Sequence, residues 1–251
     1  MKYMGSKSRL AKDIVPIIQK CIDGNDITEY YEPFCGGCNI IDKIKCENKY
    51  ASDLNPYLIG LFQHLKDGGE LLPEVPRDLY SEVRANYKNK EYPNWYVGNV
   101  GFLASYNGRF FDGGYAPTGF EKTKNGLRER NYYREASNNI LSQRDSIKDI
   151  YFSCCDYTVL EPHNSVVYCD PPYANKKQYA NAMKFDYERF WNVIRMWSKD
   201  NFVIVSELNA PEDFKCVWGK PVSRSIKTTD KTVATEKLFT YDGLYDNYIK
   251  V

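Results

Sequence analysis

The chain has 251 residues, 43% of them apolar and 27% charged, with a net charge of +1. That length supports one core, or one core with an inserted subdomain, and the composition is that of a soluble globular protein. It excludes a membrane span, since no apolar run approaches ~20 residues; no secretion signal is expected in "MKYMGSKSRL", and near-neutral charge confines any polyanion site to a local patch.

In chain order, residues 8–22 read as a helix, with Leu10, Ile14, Ile17, Ile18 and Ile22 near helical spacing and Pro16 a weak point. Residues 27–32 read as a strand, "PFCGGCN" as a glycine loop, 39–47 as a helix and 49–53 as a second strand. Strand, glycine turn, helix, strand is the opening of a nucleotide-binding α/β unit. Residues 57–67, 78–88 and 128–148 then read as helices around the aromatic, glycine-rich stretch 95–119. The α/β rhythm stops there, so 58–148 is expected to be an inserted, mainly helical subdomain within a domain formed by 1–57 and 149–251. Strands return at "DIYFSCCDY", "SVVYCD" and "NFVIVSE", with a helix at 186–199 and one or two edge strands in "KLFTYDGLYDNYIKV".

The eight cysteines read as reduced thiols of a cytoplasmic protein. Cys35 and Cys38 form a C-x-x-C, but no second pair at zinc-finger spacing accompanies it, so no metal is expected. The 22 tyrosines suit either nucleic-acid stacking or ordinary cores. Gly36 and Gly37 let the backbone turn sharply beside a ligand. Asp53, at the end of the next strand, can accept hydrogen bonds from ribose hydroxyls or cap a helix.

The stretch "SVVYCDPPY" runs a buried strand into Asp170-Pro171-Pro172-Tyr173. Ligands of open parallel sheets sit beyond the strands' carboxyl ends, and two prolines fix the exit while leaving their carbonyls as acceptors. Asp170 and the Pro171 carbonyl can together accept both hydrogens of an amino group, and Tyr173 can stack on the ring that bears it.

"VVYCDPPY" resembles the catalytic motif of the Dam-like adenine-N6 DNA methyltransferases. The resemblance extends to "KYMGSKSRL", "YEPFCGGCNI", "SDLN", "YFSCCDY" and "RSIK" with "TEKLF", in the family's order and across the chain. It implies a class I methyltransferase fold, Rossmann-like, with an inserted target-recognition subdomain, and S-adenosylmethionine as methyl donor. Carried over, Tyr3, Met4, Gly5 and Lys7 line the cofactor pocket. Pro33, Phe34, Cys35, Gly36 and Gly37 wrap the methionine part, and Asp53 takes the ribose. Asp156 or Tyr157 meets the cofactor adenine, and Asp170 also borders the cofactor. The chain departs from the pattern at Cys38, where the family usually has glycine. The implied reaction is site-specific methylation of adenine N6 in duplex DNA, with the base flipped out of the helix. The resemblance leaves three settings open: a solitary enzyme, a phage-borne one, or one paired with a separately encoded restriction nuclease. No catalytic cysteine is needed, so Cys169 reads as packing.

Basic excess falls in 220–237, including Arg224 and Lys227, and in 121–148. Both patches suit phosphate contacts, which position rather than specify. Asn107 and Arg109, in "SYNGRF", are candidate target-side contacts. Related proline-rich motifs occur on RNA base-amine methyltransferases, and a non-catalytic nucleic-acid-binding protein on the same fold is the other alternative. Cytosine-N4 enzymes more often carry serine at the position of Asp170.

Overall fold

The computed structural model describes residues 1–89, 92–116, 118–124, 126–173, 185–227 and 230–242, with backbone alone from 223 to 227 and from 230 to 234. Its elements in chain order are α1 (Ala11–Asp23), β1 (Glu29–Glu32), β2 (Asn48–Asp53), α2 (Pro56–Lys66), α3 (Arg77–Asn86) and α4 (Asn94–Gly98). Then come β3 (Thr118–Thr123), β4 (Gly126–Asn131), α5 (Tyr132–Leu141), α6 (Arg144–Ile147), β5 (Ile150–Cys154) and β6 (Val166–Cys169). The last elements are α7 (Tyr187–Trp197), β7 (Phe202–Glu207), β8 (Phe214–Lys227) and β9 (Asp230–Tyr241).

A seven-stranded, largely parallel sheet runs in the order β5-β2-β1-β6-β7-β9-β8. The last pairings, β7 with β9 and β9 with β8, are antiparallel. This is a Rossmann-like α/β sheet closed by a terminal antiparallel hairpin. By packing the chain falls into two compact units, Met1–Lys12 with Cys35–Lys43 and Ala51–Cys155, and Asp13–Phe34 with Ile44–Tyr50 and Asp156–Val251.

In the second unit the parallel register pairs Tyr30 with Val166, Val166 with Phe202 and Cys169 with Val205. Alternation of side chains then sorts the two faces. Val167, Cys169, Val203 and Val205 face α7, whose Phe190, Trp191, Ile194 and Trp197 close an apolar cluster over them. The opposite face carries Tyr30, Glu32, Tyr168 and Ser206. The α7 helix starts where Asp186 accepts the Arg189 amide at 2.9 Å, an N-cap of the expected kind.

In the first unit, Asn55 caps α2 by accepting the amides of Tyr57 and Leu58, at 3.1 and 3.2 Å, with Pro56 in the first turn. Many tyrosines are spent on packing. Tyr80 is buried against Phe111 and Tyr115, and Tyr57 stacks on Phe110.

Three expectations change. The helix expected at 39–47 is a single 3₁₀ turn, Ile41–Lys43. Ile40, Ile41 and Ile44 are all buried, and β-branched residues that pack on every side gain nothing from one helical stripe. The helix expected at 128–148 starts at Tyr132, because residues 126–131 pair antiparallel with 118–123 in a hairpin around Gly126. The C-terminal hairpin begins much earlier than "KLFTY": β8 covers Phe214–Lys227, and β9 lies inside the sheet rather than at its edge. Residues 243–251 lie outside the described residues.

Candidate active site

The second unit gathers its polar groups at one end of the sheet. Because β1, β6 and β7 are parallel, Glu32, Asp170 and Glu207 all stand at carboxyl ends. Asp170 continues the alternation of Val166 and Tyr168, on the face away from α7, and is half-buried. Glu32 and Glu236 are buried, and the Tyr30 hydroxyl donates to Glu32 at 3.3 Å. Pro171 is buried and Pro172 exposed. The hydroxyl of Tyr187, in the first turn of α7, donates to the Pro172 carbonyl.

Tyr173 is 5% exposed. Its hydroxyl donates to Glu236 Oε2 at 2.6 Å and lies 3.1 Å from Ser206 Oγ. Burial, and then the charges of Asp170 and Glu236, hold this phenol far above the usual tyrosine range, so it stays a donor. Burial first, then Asp170 and Glu32, likewise push the Cys169 thiol well up. A fully buried, protonated thiol is neither nucleophile nor metal ligand, which agrees with its packing role.

Pro33 is buried, and Phe34 packs against Tyr157 with ring centroids 5.2 Å apart, and against Phe185 and Phe190. Asp156 caps the turn that follows it, accepting from the amide and hydroxyl of Thr158 at 2.9 and 2.6 Å. Tyr157 is buried in the apolar cluster.

The first unit builds the glycine loop. Cys35 N donates to Ser52 O at 2.9 Å and Cys38 N to Cys35 O at 2.8 Å. Asp53 accepts the Gly36 amide at 3.2 Å and the Asn55 amide at 3.0 Å. Burial pushes its carboxyl up, opposed by the amides of Asn55, Gly36 and Leu54. The N-terminal stretch packs on the loop. A Cβ on Gly36, whose φ is +44°, would stand 2.9 Å from the Tyr3 ring, and one on Gly37 would stand 2.9 Å from Tyr3 Cβ and 3.1 Å from the Met1 carbonyl. Ser6 N donates to Tyr3 O at 3.1 Å, so Met4 and Gly5, both exposed, form a tight turn, and Lys7 is buried. Two motifs far apart in type, "KYMGSK" and "FCGG", are thus brought together here. Among the described residues, no group of three or more His, Cys, Asp and Glu side chains forms a metal set.

The candidate DNA contacts are dispersed. Asn107, at φ +55°, and Gly108 form a tight turn, with a Cβ on Gly108 reaching within 2.3 Å of the Lys2 carbonyl. Arg109 is exposed and paired with Asp112 at 2.5 Å. Arg224 and Lys227 lie in β8 opposite Thr232 and Asp230, and their side chains lie outside the described residues. The β3–β4 hairpin was not anticipated. It exposes Lys122, Lys124 and Arg128 together with Phe120 and Leu127. Its signal was "KNG" between two alternating segments, a hairpin turn sequence. Glu32, Tyr187 and Glu236 were also missed as site residues. Glu32 and Glu236 lay inside quoted motifs, but nothing local distinguishes them from surface acids.

Residues 3–99 match the family model described as D12 class N6 adenine-specific DNA methyltransferase. Over those residues the chain is similar to that family. The match takes in the N-terminal stretch, the glycine loop and Asp53, which meet in the first unit. Comparison with curated protein sequences found no match. Among solved structures, the rRNA methyltransferase aviRa from Streptomyces viridochromogenes is similar at 10% identity and a TM-score of 0.40, over 94% of this chain and 84% of that one.

Cys38 sits at φ +53° and is fully buried. That left-handed backbone explains why glycine is usual here. It costs a residue with a side chain about 1–2 kcal/mol, while deleting the buried thiol leaves a small cavity of opposing cost. Cys38→Gly is therefore expected to be nearly neutral, with a melting shift within about 4 °C. Calorimetric melting checks it; a drop of tens of degrees would show that the thiol, not the backbone, governs the position.

Proposed function

We propose that this methyltransferase transfers a methyl group from S-adenosylmethionine to N6 of an adenine rotated out of duplex DNA. The observation that carries the reading is Asp170 at the carboxyl end of β6, on the polar face, followed by a buried proline and a tyrosine whose hydroxyl is fixed. When bound, S-adenosylmethionine supplies an electrophilic methyl on a sulfonium. The residues fit it. Asp53 meets the backbone amides of Asn55, Gly36 and Leu54, and a carboxylate offers about four acceptor sites, so one remains for a ribose hydroxyl. In the same unit, Gly36 and Gly37 supply a close-packed backbone turn.

The target amine's lone pair is delocalised into its ring, so it is a poor nucleophile. Asp170 and the Pro171 carbonyl would accept its two hydrogens and favour a tetrahedral nitrogen. As the nitrogen–methyl bond forms, the sulfur–methyl bond breaks with its electron pair left on sulfur, and one amine proton leaves to Asp170 or water. No covalent enzyme intermediate is required, which accords with a buried thiol at Cys169. Acceleration then comes from positioning and from acceptors fixed before the reaction. The base must leave the duplex to reach such a site, which costs a few kcal/mol in unstacking. The exposed basic hairpin β3–β4 is the surface we assign to DNA phosphates, alongside the patch at 220–237.

Asp170→Ala should retain the fold and most cofactor binding while losing about two to three decades in rate. Asp170→Asn should fail too, since its amide presents a donor to the amine hydrogens. Cys169→Ala should keep methyl transfer near the parent rate. The measurement is transfer of labelled methyl to duplex DNA and to RNA, beside a thermal melt. Near-parent activity in folded Asp170→Ala would reject the assignment, and transfer to RNA alone would favour the RNA reading.

Asp53→Ala should weaken S-adenosylmethionine binding by about 1–3 kcal/mol, the scale of a lost charged hydrogen bond. Titration calorimetry with unchanged affinity would remove Asp53 from the ribose role.

Affinity for duplex DNA should fall steeply with salt, because bound lysines and arginines displace counterions. Replacing Lys122 and Arg128 with alanine should reduce the slope of log K against log salt by up to about 1.8, at about 0.9 per phosphate contact. An unaltered slope would identify the hairpin as ordinary solvated surface.

A further inference from the structure

The D-P-P-Y segment leaves its strand as irregular chain, and acceptors on irregular chain keep their places only if something outside the segment holds it. Two contacts in the second unit do so. From one side, the Tyr187 hydroxyl donates to the Pro172 carbonyl. Its ring is braced edge-on against Phe185, with centroids 4.9 Å apart, and its helix is pinned by the Asp186 cap and the cluster under α7. From the other side, the Tyr173 hydroxyl donates to Glu236 Oε2 at 2.6 Å and touches Ser206. Glu236 is 7% exposed and stands on β9 just beyond the pairing of Lys237 with Glu207, so the sheet itself fixes it.

We propose that Tyr187 and Glu236 are positioning residues that clamp the D-P-P-Y segment, and so set where Asp170 and the Pro171 carbonyl meet the target amine. The division of labour follows from the geometry. Tyr187 occupies the Pro172 carbonyl, and the acceptor role of the proposed function falls to that of Pro171. Glu236 holds the far end through a phenol that burial keeps protonated. A buried carboxylate would be costly here without such a donor, so the hydrogen bond also fixes Tyr173 in a single rotamer. Neither residue touches the reacting atoms. Their effect is on the chemical step, where a displacement of about 1 Å costs on the order of a hundredfold.

The clamp rests on the Asp170 reading, and the experiment separates the two. Single-turnover methyl transfer to duplex DNA is measured for Tyr187→Phe, Glu236→Gln, Glu236→Ala, Tyr173→Phe and the double variant Tyr173→Phe with Glu236→Gln, beside Asp170→Ala. Cofactor affinity by calorimetry and a thermal melt accompany each. Tyr187→Phe and Glu236→Ala are expected to slow the chemical step about tenfold or more, the loss of one buried hydrogen bond. Cofactor affinity should stay near the parent's. Glu236→Gln, which keeps an acceptor oxygen, should recover part of the rate. The double variant should cost no more than Tyr173→Phe alone, because both changes remove the same bond. Parent rates in Tyr187→Phe and Glu236→Gln, or additive losses in the double variant, would overturn the clamp. So would losses that track the melting temperature and cofactor affinity together. If Glu236→Ala does not fold, Tyr187→Phe and the double variant decide. A fully active Asp170→Ala brings down the acceptor reading and the clamp with it; an inactive Asp170→Ala beside fully active clamp variants brings down the clamp alone.

Discussion

The parallel register of β1, β6 and β7 is the constraint from which the rest of the site follows. Once Tyr30 lies opposite Val166 and Cys169 opposite Val205, three strands must end on the same side. The chain then has no choice about where Glu32, Asp170 and Glu207 stand. Alternation does the rest. A slip of one residue would send Asp170 into the apolar cluster with α7 and bring Cys169 to the polar face. That cluster, closed by Phe190, Trp191, Ile194 and Trp197, is what makes the slip prohibitive.

The polar face is an expensive arrangement. Several carboxylates are withdrawn from water at one sheet end, and each such group is tolerable only with hydrogen-bond partners. Phenols supply them, Tyr30 for Glu32 and Tyr173 for Glu236. Burial and neighbouring negative charge both keep these hydroxyls protonated, so they serve as neutral donors that an ammonium or guanidinium would not replace without adding charge. The result is an acceptor-rich sheet end, suited to a ligand that brings hydrogens rather than oxygens.

The glycine loop obeys a different economy. Gly36 and Cys38 both hold positive φ, and Tyr3 and Met1 press against the loop from the N-terminal stretch. Backbone strain of this kind persists only when its surroundings over-determine it. Here the surroundings are Asp53, which accepts the Gly36 amide, and Ser52, which accepts that of Cys35. Asp53 therefore shapes the loop.

The sequence by itself determined the α/β class, the order of strands β1, β2, β5, β6 and β7, and the principal motif residues. Those signals are local: a β-branched run, a pair of glycines, a carboxylate before two prolines. The caps at Asn55 and Asp186 act within three residues, yet they became visible only with the structure. Only the tertiary structure decided the rest. The segment 39–47 gave up its helix because isoleucines packed on all sides, and 126–131 paired as a hairpin strand where helical propensity alone favoured continuing α5. β9 became an interior strand because β8, 14 residues long, took the edge. The partnership of Tyr173 with Glu236 spans 63 residues, and that of Tyr3 with Gly36 joins an N-terminal turn to a loop after the first strand. Such contacts leave no periodicity or spacing in the chain, since what selects them is the burial of one group against another after the strands have paired.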